Sequence, residues 1–158
     1  MHRLIKGGLR LLPWVFVILW MILIFTLSAQ PAEQSNGLSK GLTTVIVETI
    51  EKMAPGSEFD MGRLNHLLRK NAHFFAYLVL GALLVNAIRK GRVKGRGGYL
   101  LAFGICVAFA VSDEVHQLFV PGRGGQIKDV LIDSAGALVG IWIYGSLDRT
   151  NKEKKQLS

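Results

Sequence analysis

The sequence predicts an all-α protein, a four-helix transmembrane bundle with an additional amphipathic surface helix between the first and second spans. Three observations predict it. Four apolar stretches, at about 11–28, 70–88, 99–120 and 129–147, are each long enough to cross a hydrocarbon layer about 30 Å thick. Half of the 158 residues are apolar and the mean hydropathy is positive, a membrane-protein composition with room for a single domain. The net charge of +8 comes from basic residues beside the ends of the apolar stretches. They are not interleaved with aromatics on a soluble face, which argues against a nucleic-acid partner.

The first stretch follows a basic head, MHRLIKGGLR. Its apolar run, 11–27, exceeds the roughly 7 to 15 residues of a signal-peptide core, and Leu27 stands where a cleavage site before Ala29 would want a small residue. A retained span is therefore expected. Ser28, Gln30, Pro31, Glu33 and Gln34 form a polar hinge after it. Over about 36–53, Leu38, Leu42, Val45, Ile46, Ile50 and Met53 make one helical stripe, interrupted only by Thr49. Lys40, Thr44, Glu48 and Glu51 lie opposite, with Val47 as the one apolar member of that face. This helix is too short and too polar to span, so it should lie on the membrane surface or cap the bundle until 54–57 breaks it.

The second stretch begins in polar sequence, where Arg63, His66, Lys70, His73 and Tyr77 recur at steps of three and four and share a helical face. His73 is followed at once by Phe74 and Phe75, which puts it at or below the membrane boundary. RKGRVKGRGG, residues 89–98, carries five basic residues and no acid. With four spans, the head, this loop and the tail fall on one side, which then holds twelve of the nineteen basic residues and two of the eleven acidic ones. The positive-inside rule makes that side cytoplasmic, with both termini there.

The third stretch runs into Ser112, Asp113, Glu114, His116 and Gln117 before Pro121-Gly122 closes it. Asp113, His116 and Gln117 share a face, and Glu114 points about 100° away from Asp113. Cys106 lies within this apolar run and reads as small-residue packing; as the single cysteine it can form no intrachain disulfide. In the fourth stretch Asp129, Asp133, Gly136 and Gly140 share a face, and the two glycines allow close approach of a neighbouring backbone. Counted from the basic end of each span, Ser28, His73, Asp113, His116, Asp129 and Asp133 all fall at roughly 21 to 27 Å. Four helices thus deliver polar groups to the outer third of the membrane. Ionisable side chains are costly there, so a cluster of them points to a functional site.

Arg69-Lys70 with His73 and Tyr77, the string from Ser112 to Gln117 continuing through Phe119-Val120-Pro121-Gly122-Arg123, and then Asp129, Asp133, Gly136 and Gly140 resemble the VanZ-like family of bacterial integral membrane proteins. The hinge with Ser28, Pro31 and Ser35 is also similar to that family, and the likeness covers essentially the whole chain. It implies a multi-pass protein of the bacterial cell membrane and envelope, associated in the family's founding member with resistance to glycopeptide (teicoplanin-type) antibiotics. The resemblance brings no defined reaction and no cofactor.

Three readings of the cluster stand side by side. One is catalytic, with His73 or His116 as general acid or base, Asp113, Glu114 and Asp133 as its carboxylates, and Arg123 holding an anionic group such as a lipid-linked phosphate. A second is a metal site built across helices from His73, His116 and the carboxylates; DEVHQ is not the zincin HExxH string. The third is an outward-facing pocket, or a purely structural network, in which Lys70, Tyr77, Gln117, Arg123, Asp129 and Ser28 would contact a ligand. Its partners would be membrane lipids and a lipid-linked envelope precursor, wall precursor or glycopeptide. Four spans without a visible inverted repeat would need a homo-oligomer to act as a transporter, and Gly136 and Gly140 could serve that association.

Overall fold

The computed structural model describes residues 2–31, 61–91, 93 and 95–157, together with Gly37, Gly41, Thr44 and Val45. It contains four helices and, among the described residues, no strand: α1 (His2–Ser28), α2 (Met61–Lys90), α3 (Arg96–Gln117) and α4 (Ile127–Leu157). Each contains a window long and apolar enough to cross a membrane, at Leu11–Ser28, Lys70–Lys90, Arg96–Gln117 and Ile127–Thr150. The chain is therefore a multi-pass membrane protein. Of the surface helix expected over 36–53, only Gly37, Gly41, Thr44 and Val45 are described; they are helical and exposed, and the rest of that expectation lies outside the described residues.

α2 is the central helix and packs on all three others, most extensively on α4. Its fully buried residues, Tyr77, Leu80, Leu84, Val85, Ala87 and Ile88, fill a little under half of its circumference, and residues 78, 79, 82, 83 and 86 on the other side are half-buried. Packing against α4 is set by glycines. A Cβ on Gly136 would run into the Phe74 carbonyl, one on Gly140 into the Leu78 carbonyl, and one on Gly81 would fall 2.5 Å from the Ala137 carbonyl. In lipid, apolar burial does not drive helices together; close backbone approach and hydrogen bonds do, so these glycines decide which helices are neighbours. The Gly136 and Gly140 face is occupied by α2 of the same chain and is not left over for association between chains.

α3 buries a narrow stripe of Gly98, Ala102, Cys106 and Ala110 that continues directly into Asp113 and Gln117. α1 buries Pro13, Val17, Ile24 and Ser28 at helical spacing and is tied to α2 by Trp20 Nε1, which donates a 2.9 Å bond to the Ala76 carbonyl. Leu11, Phe16 and Leu19, on its other side, are exposed, as lipid-facing side chains should be.

The helices extend beyond the expected spans at several ends, and the two ends beside the 118–126 turn differ for local reasons. α3 ends at Gln117, three residues early, because Pro121 disfavours a helical Val120. Leu118, Phe119 and Val120 instead turn through bonds to the carbonyls three residues back. α4 starts two residues early, with Asp129 N–H bonded to the Gln126 carbonyl, and its backbone stays helical beyond the apolar part to Leu157.

Candidate functional site

The polar residues of all four helices meet at the end of the bundle that carries the 118–126 turn, remote from the basic 89–96 loop. The sequence builds this end by letting each buried stripe finish in a polar residue. On α1 it finishes in Ser28, and on α3 in Asp113 and Gln117. The α2 face begins with Lys70 and His73, and the α4 face with Asp129 and Asp133. Antiparallel neighbours bring these ends to one level, so the shared height expected from the helical rise is found as direct pairs.

Three pairs define the level. Ser28 Oγ donates a 2.7 Å hydrogen bond to Asp113 Oδ2, with Gln117 Nε2 at 3.4 Å from the same hydroxyl. Lys70 Nζ stands 3.2 Å from Asp129 Oδ1. His73 Nδ1 lies 3.8 Å from Asp133 Oδ2, a contact beyond hydrogen-bond length. Asp133 is fully buried, and neither of its carboxylate oxygens has a hydrogen-bond partner among the described residues.

The turn is fastened to α3 by Glu114. Its Oε2 accepts a 2.7 Å bond from the backbone N–H of Gln126, at the entry to α4. Gly125 is pressed against the backbone of the same residue, since a Cβ there would sit 2.8 Å from the Glu114 carbonyl. Gly122 adopts φ 72, a conformation that favours glycine. The expected 100° between Asp113 and Glu114 thus separates two buried roles, Asp113 toward α1 and Glu114 toward the turn and α4.

Between α2, α3, α4 and the turn lies a cavity of about 220 Å³. Seven of the eleven residues expected at the site line it: Lys70, His73, Glu114, Gln117, Arg123, Asp129 and Asp133. Ser28, Tyr77, Asp113 and His116 do not. Ser28 and Asp113 Oδ2 pair behind the cavity, while Asp113 Oδ1 has no hydrogen-bond partner among the described residues. Tyr77 is fully buried against the Phe109 ring, 6.0 Å between centroids, and its hydroxyl has no hydrogen-bond partner among the described residues. His116 turns toward α1 and packs on the Phe25 ring at 4.3 Å, although it shares a helical face with Gln117. The step of about 100° between successive helical residues turns Gln117 toward the cavity and His116 toward α1. Sequence reasoning missed Gln126 and Ile132 as lining residues, and their signal was only proximity to the Pro-Gly-Arg turn.

For the metal reading, among the described residues no group of three or more His, Cys, Asp or Glu side chains is arranged to hold an ion. His73 and His116 are held apart, one at the cavity and the other on Phe25, so the two do not converge as ligands.

Fold and site together define a four-span membrane protein with a polar pocket enclosed between three of its helices at one end of the bundle. The chain belongs to the VanZ/LLP1 family, whose model matches residues 13–148, from within the first span to the end of the fourth apolar stretch. No curated protein matches the chain significantly. No solved structure does so either.

Proposed function

We propose that this protein works in the bacterial cell envelope, with its pocket facing outward and holding the phosphate-bearing head group of an envelope lipid or lipid-linked wall precursor. The observation that carries this reading is the cavity itself, which sets Lys70 and Arg123 beside hydrogen-bonding groups at one end of the bundle. Arg and Lys are the side chains that recognise phosphate, and a fork of guanidinium donors matches its oxygens. The basic loop at the other end supports the outward orientation through the positive-inside rule. A volume of about 220 Å³ is below the roughly 300 to 1,000 Å³ of sites for drug-sized ligands, so the pocket suits a head group and not an entire glycopeptide. On this reading, glycopeptide resistance follows from altered envelope composition, not from capture of the drug.

Two measurements test it. Gly124→Cys has open space around the added side chain, and the native Cys106 is buried. A membrane-impermeant maleimide should label Gly124→Cys in intact cells and label Val93→Cys only after lysis; the reverse pattern ends the proposal. Mass spectrometry of protein purified in mild detergent should find a retained phosphate-bearing lipid that Arg123→Ala loses and His116→Gln keeps.

A second reading rests on the His73–Asp133 pair. Asp133 faces Nδ1, an orientation that leaves Nε2 as the nitrogen to take or give a proton, the arrangement of a general acid or base acting on the bound lipid. His73→Gln would then abolish turnover of a bound precursor while leaving its binding intact.

A further inference from the structure

Asp133 has no role in the phosphate reading. It lines the cavity, it is fully buried, and both oxygens lack a hydrogen-bond donor among the described residues. A buried carboxylate without donors is expensive, and among the described residues only His73 Nδ1 approaches it, at 3.8 Å, so the group calls for a further partner. Lys70, the lysine of the lining, stands instead against Asp129. Glu114 adds a second carboxylate, whose Oε2 is committed to the Gln126 N–H. The lining therefore carries three carboxylates, Glu114, Asp129 and Asp133, against the two permanent cations Lys70 and Arg123 and the imidazole of His73. A purely anionic occupant would face these three carboxylates as well as the cations.

We infer that the occupant is zwitterionic, a lipid head group with a primary ammonium a few bonds from its phosphate. Building on the pocket reading above, the phosphate lies toward Arg123 and Lys70, and the ammonium donates to Asp133 with Glu114 beside it. A phosphoethanolamine head group has this chemistry, and its three ammonium protons can serve both Asp133 oxygens that lack donors among the described residues. A lipid is favoured as its source because the chain flanking the cavity wall exposes Leu118, Phe119 and Ile127, the last two about four-fifths exposed. Those side chains offer an apolar ledge for acyl chains next to a polar cavity for the head group.

The test uses the full-length protein in detergent and three probes: dihexanoyl phosphatidylethanolamine, dihexanoyl phosphatidylglycerol and free phosphoethanolamine, titrated by calorimetry. The ethanolamine lipid should bind at least tenfold more tightly than the glycerol lipid and than the free head group. Asp133→Asn should erase the preference between the two lipids by weakening binding of the ethanolamine lipid at least tenfold. Glu114→Gln, which keeps an acceptor for the Gln126 N–H, should narrow the preference and serves if Asp133→Asn does not fold. Equal or tighter binding of the glycerol lipid overturns the zwitterion and leaves the pocket reading standing. Binding of free phosphoethanolamine as tight as that of its lipid overturns the lipid source. Wild-type protein that binds none of the three overturns this inference and the phosphate pocket together.

Discussion

Ser28, the last residue of α1, donates its hydroxyl to Asp113, 85 positions later on α3, across 2.7 Å in a site from which both side chains are excluded from solvent. This bond closes the end of the bundle where α1 and α3 otherwise touch little. Ser28→Ala removes the shortest donor to a buried carboxylate and should cost about 1 to 3 kcal/mol. The check is a lowered melting temperature in detergent. Combined with Asp113→Asn, the loss should be less than the sum of the two single losses, because the partners share one interaction.

The glycine seam between α2 and α4 should respond sharply to the smallest substitutions. Gly140→Ala and Gly136→Ala each place a methyl against a carbonyl of α2, and backbone cannot swing aside as a flexible side chain can. Each should destabilise by about 3 kcal/mol or more, seen as lost monodisperse protein on size-exclusion chromatography. Gly104→Ala, with nothing within 4 Å of the added group, is the matched control and should be neutral or slightly stabilising.

Glu114 holds the turn as an acceptor, and an amide oxygen can accept as well. Glu114→Gln should therefore keep residues 118–126 resistant to protease and to hydrogen exchange, whereas Glu114→Ala leaves the Gln126 N–H without its acceptor at a cost of about 1 to 3 kcal/mol. Gly122→Ala should loosen the same segment by about 1 to 2 kcal/mol through its φ of 72.

At the opposite end, Arg89 connects three helices. One Nη donates to Asp148 at 2.6 Å and the other to the Tyr99 hydroxyl at 2.8 Å, while the guanidinium lies 5.6 Å from the Tyr99 ring centroid and 5.9 Å from that of Tyr144. Lysine keeps the charge but not the fork. Arg89→Lys should lower thermal stability by about 1 to 3 kcal/mol and leave lipid binding at the distant pocket unchanged. A change in binding without a change in stability would contradict this assignment.

The four spans, the buried carboxylates and the shared level of Ser28, His73, Asp113, Asp129 and Asp133 could be read along the chain, because bilayer thickness and helical rise leave few alternatives once apolar runs are long. Arg89 and Asp148 were legible only as topological charges. Nothing local in the sequence says that residues 59 positions apart, with Tyr99 between them, form one hydrogen-bonded group.

By itself the sequence determined how many times the chain crosses the membrane and how deep each polar residue lies, since both follow from one-dimensional periodicity. Only the tertiary structure decided which way those residues face: His116 onto Phe25, Glu114 onto the turn, and Asp133 into the cavity with its oxygens unsatisfied. The physical reason is that azimuth depends on which helices are neighbours, and that was set by glycines meeting carbonyls between α2 and α4, a contact between residues far apart in the chain.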